Sequence, residues 1–183
     1  MDVLDCDALL DAIAAPAPAP GSGSTAALVG AMAAALCTKA ARLSDDGGAA
    51  AQGEHLRRRL TILAREDADA FAAALHTLDE GGEPDPARRD WDLGRALAVA
   101  ADVPLRIAEV CADVADLGAD LSQRCKPEVQ PEAAGAAVLA EAAVRVCAHL
   151  VAVNLGATPN DERVRRADAL ARAAGEAASD TGA

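Results

Sequence analysis

Residues 16–36 read PAPAPGSGSTAALVGAMAAAL, a proline-stiffened, glycine-rich loop running straight into a helix of small apolar residues. Pro16, Pro18 and Pro20 fix φ and favour an extended approach, while Gly21 and Gly23 permit a closeness to ligand that a side chain would forbid. Ser22 or Ser24 is placed to cap the helix that follows. Such a loop leaves backbone N–H groups at the positive end of a helix dipole, which suits an anion or a polar heterocycle. Pro20, Gly21, Ser22, Gly23 and Ser24 therefore form a candidate ligand cradle, although the same residues also read simply as a helix cap and a tight turn. Behind them, residues 26–36 are apolar nearly all round, so this helix is expected to be central, covered by neighbours or by a partner subunit.

The rest of the chain agrees with a helical core of that kind. Its 183 residues suit one domain with a real core, spanning 1–183 with a frayed tail from about 179. Hydrophobic residues make up 52% but aromatic ones only 1%, Phe71 and Trp91, so the core must be built from Ala, Leu and Val. Such side chains each bury little area, and at roughly 25 cal/mol per Å² the monomer gains less than an aromatic-rich chain would. Association would supply the difference, and a homo-oligomer is expected.

A formal charge of −12 disfavours phosphate-backbone binding, so no nucleic-acid partner is expected, and the run Arg57–Arg58–Arg59 reads as a solvated face. Five scattered cysteines without a CxxC pair suit neither a disulfide framework nor a zinc site, and no metal is expected. Residues 1–13 carry four aspartates and no basic region, unlike a signal peptide. The apolar run 133–155 is interrupted by Glu141, Arg145 and His149, which argues against a membrane span. The expected location is the cytoplasm.

No strand-like alternation appears, and Ala, Leu, Arg and Glu dominate every long segment, so the fold class is all-α: an up-and-down bundle of about six helices. The punctuation places them at about 3–14, 24–43, 49–79, 86–123, 131–155, and from Thr158–Pro159 onward, with Gly81–Gly82–Glu83–Pro84 as one break. Pro104 either kinks the fourth helix or divides it. Apolar stripes suited to bundle packing follow Leu56, Leu60, Leu63, Phe71, Ala74 and Leu78 in the third helix, and Leu139, Ala142, Val146, Leu150 and Val153 in the fifth.

Several polar residues stand where such a bundle would not place them. Asp67 interrupts the seam Leu60, Leu63, Phe71, where burial would cost several kcal/mol unless compensated and would raise its pKa toward useful acid/base values. In a rotated register, Asp67 and Glu66 would both reach water. Lys39, with Arg42, either meets an anionic ligand or a core carboxylate, or marks where the second helix emerges into solvent. Glu141, Arg145 and His149 recur at four-residue spacing, as a surface ladder or with His149 as a proton shuttle. No GxSxG, HExxH or phosphate-binding loop is present, so an enzyme here would work by positioning and acid/base groups.

Four segments resemble, in order, those of the cyclodeaminase/cyclohydrolase family, which comprises the helical domain of formiminotransferase-cyclodeaminase and stand-alone methenyltetrahydrofolate cyclohydrolases. PAPGSGSTAALVGAMAAAL is similar to the family's PAPGGGS loop and alanine-rich helix, and LAREDADAFAAAL to its Asp-Ala-x-Ala-Phe helix. ADVPLRIAEVCADVADLGADL resembles its Val-Pro-Leu helix, and AAVLAEAAVRVCAHLVAVNL its penultimate helix, across about residues 5–156 in all. The resemblance implies a dimeric helical subunit that binds tetrahydrofolate derivatives beside the glycine-rich loop and needs no other cofactor.

It further implies Asp67 as a catalytic candidate, beside which Glu132 and His149 are the other acid/base candidates of the sequence, and it implies Pro20, Gly21, Ser22, Gly23, Ser24 and Asn154 as substrate-binding candidates, to which Lys39 is added as a cation able to meet an anionic ligand. Ser22 replaces the family's middle glycine, Lys39 stands at a usually apolar position, Leu150 replaces a usual asparagine and Ala152 a usual basic residue, whereas Asn154 is retained. The implied chemistry is hydrolysis of a 5,10-methenyl bridge or its formation with loss of ammonia. A diverged enzyme with another small cyclic or amidine-like substrate is the alternative, and a non-catalytic binding or scaffold subunit the second.

Overall fold

The computed structural model describes residues 6–17, 20–79, 86–156 and 160–181. Helices α1 (Cys6–Ala14), α2 (Ser22–Leu43), α3 (Gly47–Asp79), α4 (Pro86–Ala100) and α5 (Asp102–Arg124) lead through a single 3-10 turn (Pro127–Val129) into α6 (Gln130–Asn154) and α7 (Glu162–Ser179). Among the described residues there is no strand. The expected fourth helix is two helices, α4 and α5. Pro104 has no N–H to offer the Ala100 carbonyl, and the ladder breaks at Ala101. Pro18, residues 3–5, the Gly81–Pro84 turn and Thr158–Pro159 lie outside the described residues.

Helix α2 is the centre of the bundle, packed on α3, α5 and α6, while α7 covers α5 and α6. Helices α3 and α6 run antiparallel to it, whereas α5 runs parallel, with Cys111 facing Gly30 and the Val114 carbonyl facing Cys37. Ser24 near its start meets Asp67 late in α3, and Lys39 near its end meets Glu132 at the start of α6. The close packing of α5 on α6 depends on Gly118, where a Cβ would come within 2.8 Å of the Ala137 amide nitrogen. Apart from Ser24, the largest fully buried side chains are aliphatic or cysteine, led by Leu60, Leu63, Ile107, Leu121, Val110, Val114, Val144 and Val151. All five cysteines are unbridged, and burial pushes the Cys37 and Cys111 thiols up to about 12.

The α3 stripe is buried as expected at Leu56, Leu60, Leu63 and Ala74, with Phe71 half-buried; the Leu78 side chain lies outside the described ones. The α6 stripe is a correction. Leu139, Val146 and Val153 are 40–55% exposed, and α6 instead buries Ala133, Ala136, Ala140, Ala143, Val144, Cys147 and Val151. The reason is close packing: against α2 and α5, alanines admit backbone approach that leucines would block. The tail is a second correction, because α7 is followed by a buried Thr181, and Gln123 Nε2 donates to the Asp180 carbonyl at 2.8 Å. Helix α2 and the segment 127–154 are long and apolar enough to cross a membrane, but 56% and 44% of their most apolar stretches are buried against other helices, as core helices are.

At the α2–α3 turn, Asp45 takes a left-handed backbone (φ 61). The Asp46 side chain accepts from the Ala49 amide at 2.9 Å and so caps α3. Arg124 pairs with Asp46, and Lys126 Nζ pairs with Asp45 at 2.8 Å, tying this corner to the end of α5.

Candidate active site

The glycine loop, Asp67 and the end of α6 meet in one place. A cavity of about 180 Å³ is lined by Gly21, Ser22, Gly23, Asp67, Phe71, Ala100, Pro104, Leu150, Val153 and Asn154. Each wall has a local cause. Asp67 lies one helical turn from both Leu63 and Phe71, on the side of α3 that faces α2. Gly21 is the N-cap of α2 in an extended conformation, without a side-chain cap of its own. Ala100 and Pro104 flank the break between α4 and α5, and Leu150, Val153 and Asn154 come from the last turn of α6.

The serine cap expected from the sequence is replaced by a carboxylate from the neighbouring helix. Ser24, 2% exposed and inside the first turn of α2, donates its hydroxyl to Asp67 Oδ2 at 2.9 Å. Asp67 is 9% exposed, which settles the register in favour of the buried alternative. Gly23 is required for this approach, because a Cβ there would sit 2.6 Å from the Asp67 carboxyl carbon. Burial raises the Asp67 pKa above the usual carboxylate range, and the Ser24 hydroxyl and amide pull it partly back. Directly behind it in α6, the Cys147 thiol is pushed well up by burial, then by Cys111 and Asp67.

The other candidates divide. Asn154 is half-buried at the cavity edge. Pro20 borders an adjoining apolar hollow with Ile13, Val29 and Val146, and Ser22 is shared between the two. His149 is exposed on an outer groove with Ser22, Arg145 and Leu150, and it does not line the cavity. Lys39 and Glu132 bind each other at 2.6 Å instead of reaching Asp67. They sit at the opposite end of α2, sixteen residues or roughly 24 Å from Gly23 at 1.5 Å per residue. Phe71, Ala100, Pro104 and Val153 went unrecognised in the sequence, although the proline that breaks the helix was a visible signal. Among the described residues no group of three or more His, Cys, Asp or Glu is arranged to hold a metal ion.

An apolar cavity with one buried carboxyl under a helix N-terminus suits proton transfer to and from a bound small molecule. The family described as formiminotransferase-cyclodeaminase matches residues 5–173. The chain belongs to that family. Within it, the methenyltetrahydrofolate cyclohydrolase of Methylorubrum extorquens is 31% identical over 186 aligned positions, covering 92% of this chain and 89% of the relative. The crystal structure of formiminotetrahydrofolate cyclodeaminase from Thermotoga maritima shares the fold, with a TM-score of 0.79 over 97% of this chain and 95% of that one, at 22% identity.

Proposed function

We propose that this family member is a one-carbon folate enzyme, a 5,10-methenyltetrahydrofolate cyclohydrolase that opens the bridged ring to 10-formyltetrahydrofolate, or a formiminotetrahydrofolate cyclodeaminase, a lyase that closes the ring with loss of ammonia. The observation that carries the reading is the buried Asp67 carboxyl, facing an apolar cavity beside Gly21–Gly23 and Asn154. In the hydrolytic direction, water adds to the amidinium carbon and Asp67 takes its proton. The tetrahedral carbon then releases one ring nitrogen, to which Asp67 returns the proton, while the carbon-bound hydroxyl loses its own proton to water and becomes the formyl carbonyl; one water is consumed, one proton is released, and the carbon stays on the other nitrogen. A positioned carboxyl in this role contributes on the order of 10² to 10⁴ in rate. The scheme uses no metal and no cofactor beyond the folate substrate.

On this reading the enzyme works in the cytoplasm as a homodimer. The exposed apolar face formed by Met32 of α2 with Leu139 and Val146 of α6 supports the dimer. The test mixes purified protein with 5,10-methenyltetrahydrofolate and follows the loss of its near-ultraviolet absorbance above the uncatalysed rate. No acceleration and no binding would sink the folate reading. The second reading, a diverged enzyme acting on another small cyclic or amidine-like substrate, is favoured by the apolar side chains of Phe71, Leu150 and Val153 around the carboxyl.

A further inference from the structure

We infer that Ser24 is the positioning residue for Asp67: its hydroxyl, fixed on the first turn of α2, holds Oδ2 and thereby sets how readily the carboxyl takes up and releases its proton. The inference rests on the acid/base reading of Asp67, and it assigns the control of that group to a residue that need not touch substrate.

The geometry leaves Ser24 without a rival. Its hydroxyl is buried and donates at 2.9 Å to a carboxyl that is itself buried. Among the described residues, the carboxyl's cavity receives Ala100 and Pro104 from α4 and α5, and Leu150, Val153 and the neutral amide of Asn154 from α6. The titratable group that faces Asp67 from α6 is the Cys147 thiol, which burial keeps protonated through the neutral range. Within α3, Glu66 is engaged with Arg106 of α5 at 2.6 Å. Among the described residues, then, no cation steadies the Asp67 anion, and the first turn of α2 does so instead, through the Ser24 hydroxyl and, to a smaller degree, its backbone N–H.

A donor to the charged form lowers a carboxyl's proton affinity, while burial raises it. Ser24 thus opposes the desolvation of Asp67 and brings it toward the balance that a group both accepting and returning a proton requires. Gly23 completes the arrangement by leaving space for the carboxyl against the helix.

The test compares wild type with Ser24→Ala, which removes the hydroxyl and keeps the amide. Two readouts are used: the pH dependence of kcat and KM on 5,10-methenyltetrahydrofolate, and the carboxyl carbon-13 titration of Asp67, assigned with Asp67→Asn. In Ser24→Ala the acid limb of kcat moves to higher pH and KM holds. Loss of one hydrogen bond to an anion corresponds to about a tenfold fall in kcat on that limb. The Asp67 resonance moves to higher pH in parallel. Should Ser24→Ala fail to fold, Ser24→Cys, with its weaker donor, carries the same comparison. An unmoved resonance in a folded variant overturns the inference. The titration reads Ser24 whether or not the protein turns over folate, so failure of the substrate reading remains separable.

Discussion

Replacing Gly23 with alanine tests the site's construction through two opposing effects of known size. Gly23 is the second residue of α2 and lies on helical backbone, so alanine by itself would gain up to about 1 kcal/mol in helix propensity. The added Cβ, however, would stand 2.6 Å from the Asp67 carboxyl carbon, far inside the roughly 3.5–4.0 Å of normal contact. If the carboxyl swings away, it loses the Ser24 bond, a hydrogen bond to a charged group worth about 1.5–3 kcal/mol. If instead the helices part, overpacking costs about 1–3 kcal/mol. Set against the propensity gain, these costs leave a net destabilisation of up to about 2 kcal/mol and a Tm lowered by up to about 8 °C for a chain of this size. Because the carboxyl is displaced, kcat should also fall by about 10² or more. Gly175→Ala in α7 is the control, since nothing lies within 4 Å of its added Cβ and Tm should stay or rise. Scanning calorimetry and initial rates on both variants decide the matter. A Gly23→Ala protein with wild-type Tm and kcat would refute the reasoning.

Asp67→Asn should abolish turnover while raising Tm at neutral pH. Its folded pKa lies above its unfolded one, so the native state binds the proton more tightly, and stability is lost as pH rises from the unfolded pKa through the folded one. The Tm advantage of the variant should therefore shrink toward acid pH, which calorimetry across a pH series would show. Lys39→Ala and Glu132→Gln should each change kcat by less than about twofold, because the pair is partly exposed and far from Asp67; a large loss would show that this end of the bundle takes part in a site shared between subunits. Val146→Asp should turn the proposed dimer into monomers by light scattering, and an unchanged mass would move the interface off the α2–α6 face.

How far the sequence could be read differed by residue. The helices were legible because, among the described residues, the breaks fall beside the Ser44–Gly48 turn, Pro104 and Pro127, and Asp67 stood out because a charge in a leucine seam is a local signal. The α6 stripe misled, since a leucine- and valine-rich face looks like core when the true core face is alanine, and only the facing helices decide which side is buried. The serine cap was out of reach for a related reason: the acceptor that satisfies the start of α2 comes from a residue 43 positions away. Lys39 and Glu132 are likewise a tertiary pair, 93 residues apart, and nothing in either local pattern points to the other. Chemistry carried by one residue against its neighbours was readable, whereas chemistry made by two helices meeting was not.

The absence of aromatic residues from the core also shapes how the molecule behaves in light. The chain has no tyrosine, and Trp91 on α4 is 60% exposed beneath the Arg95 guanidinium, 5.0 Å from its ring centre. Intrinsic fluorescence therefore reports the surroundings of α4, the helix whose last residue, Ala100, borders the cavity, and says little about the alanine interior. Unfolding of the bundle is better followed by far-ultraviolet dichroism. A folate chromophore, by contrast, would be observed against a protein that contributes almost no absorbance of its own in the near ultraviolet.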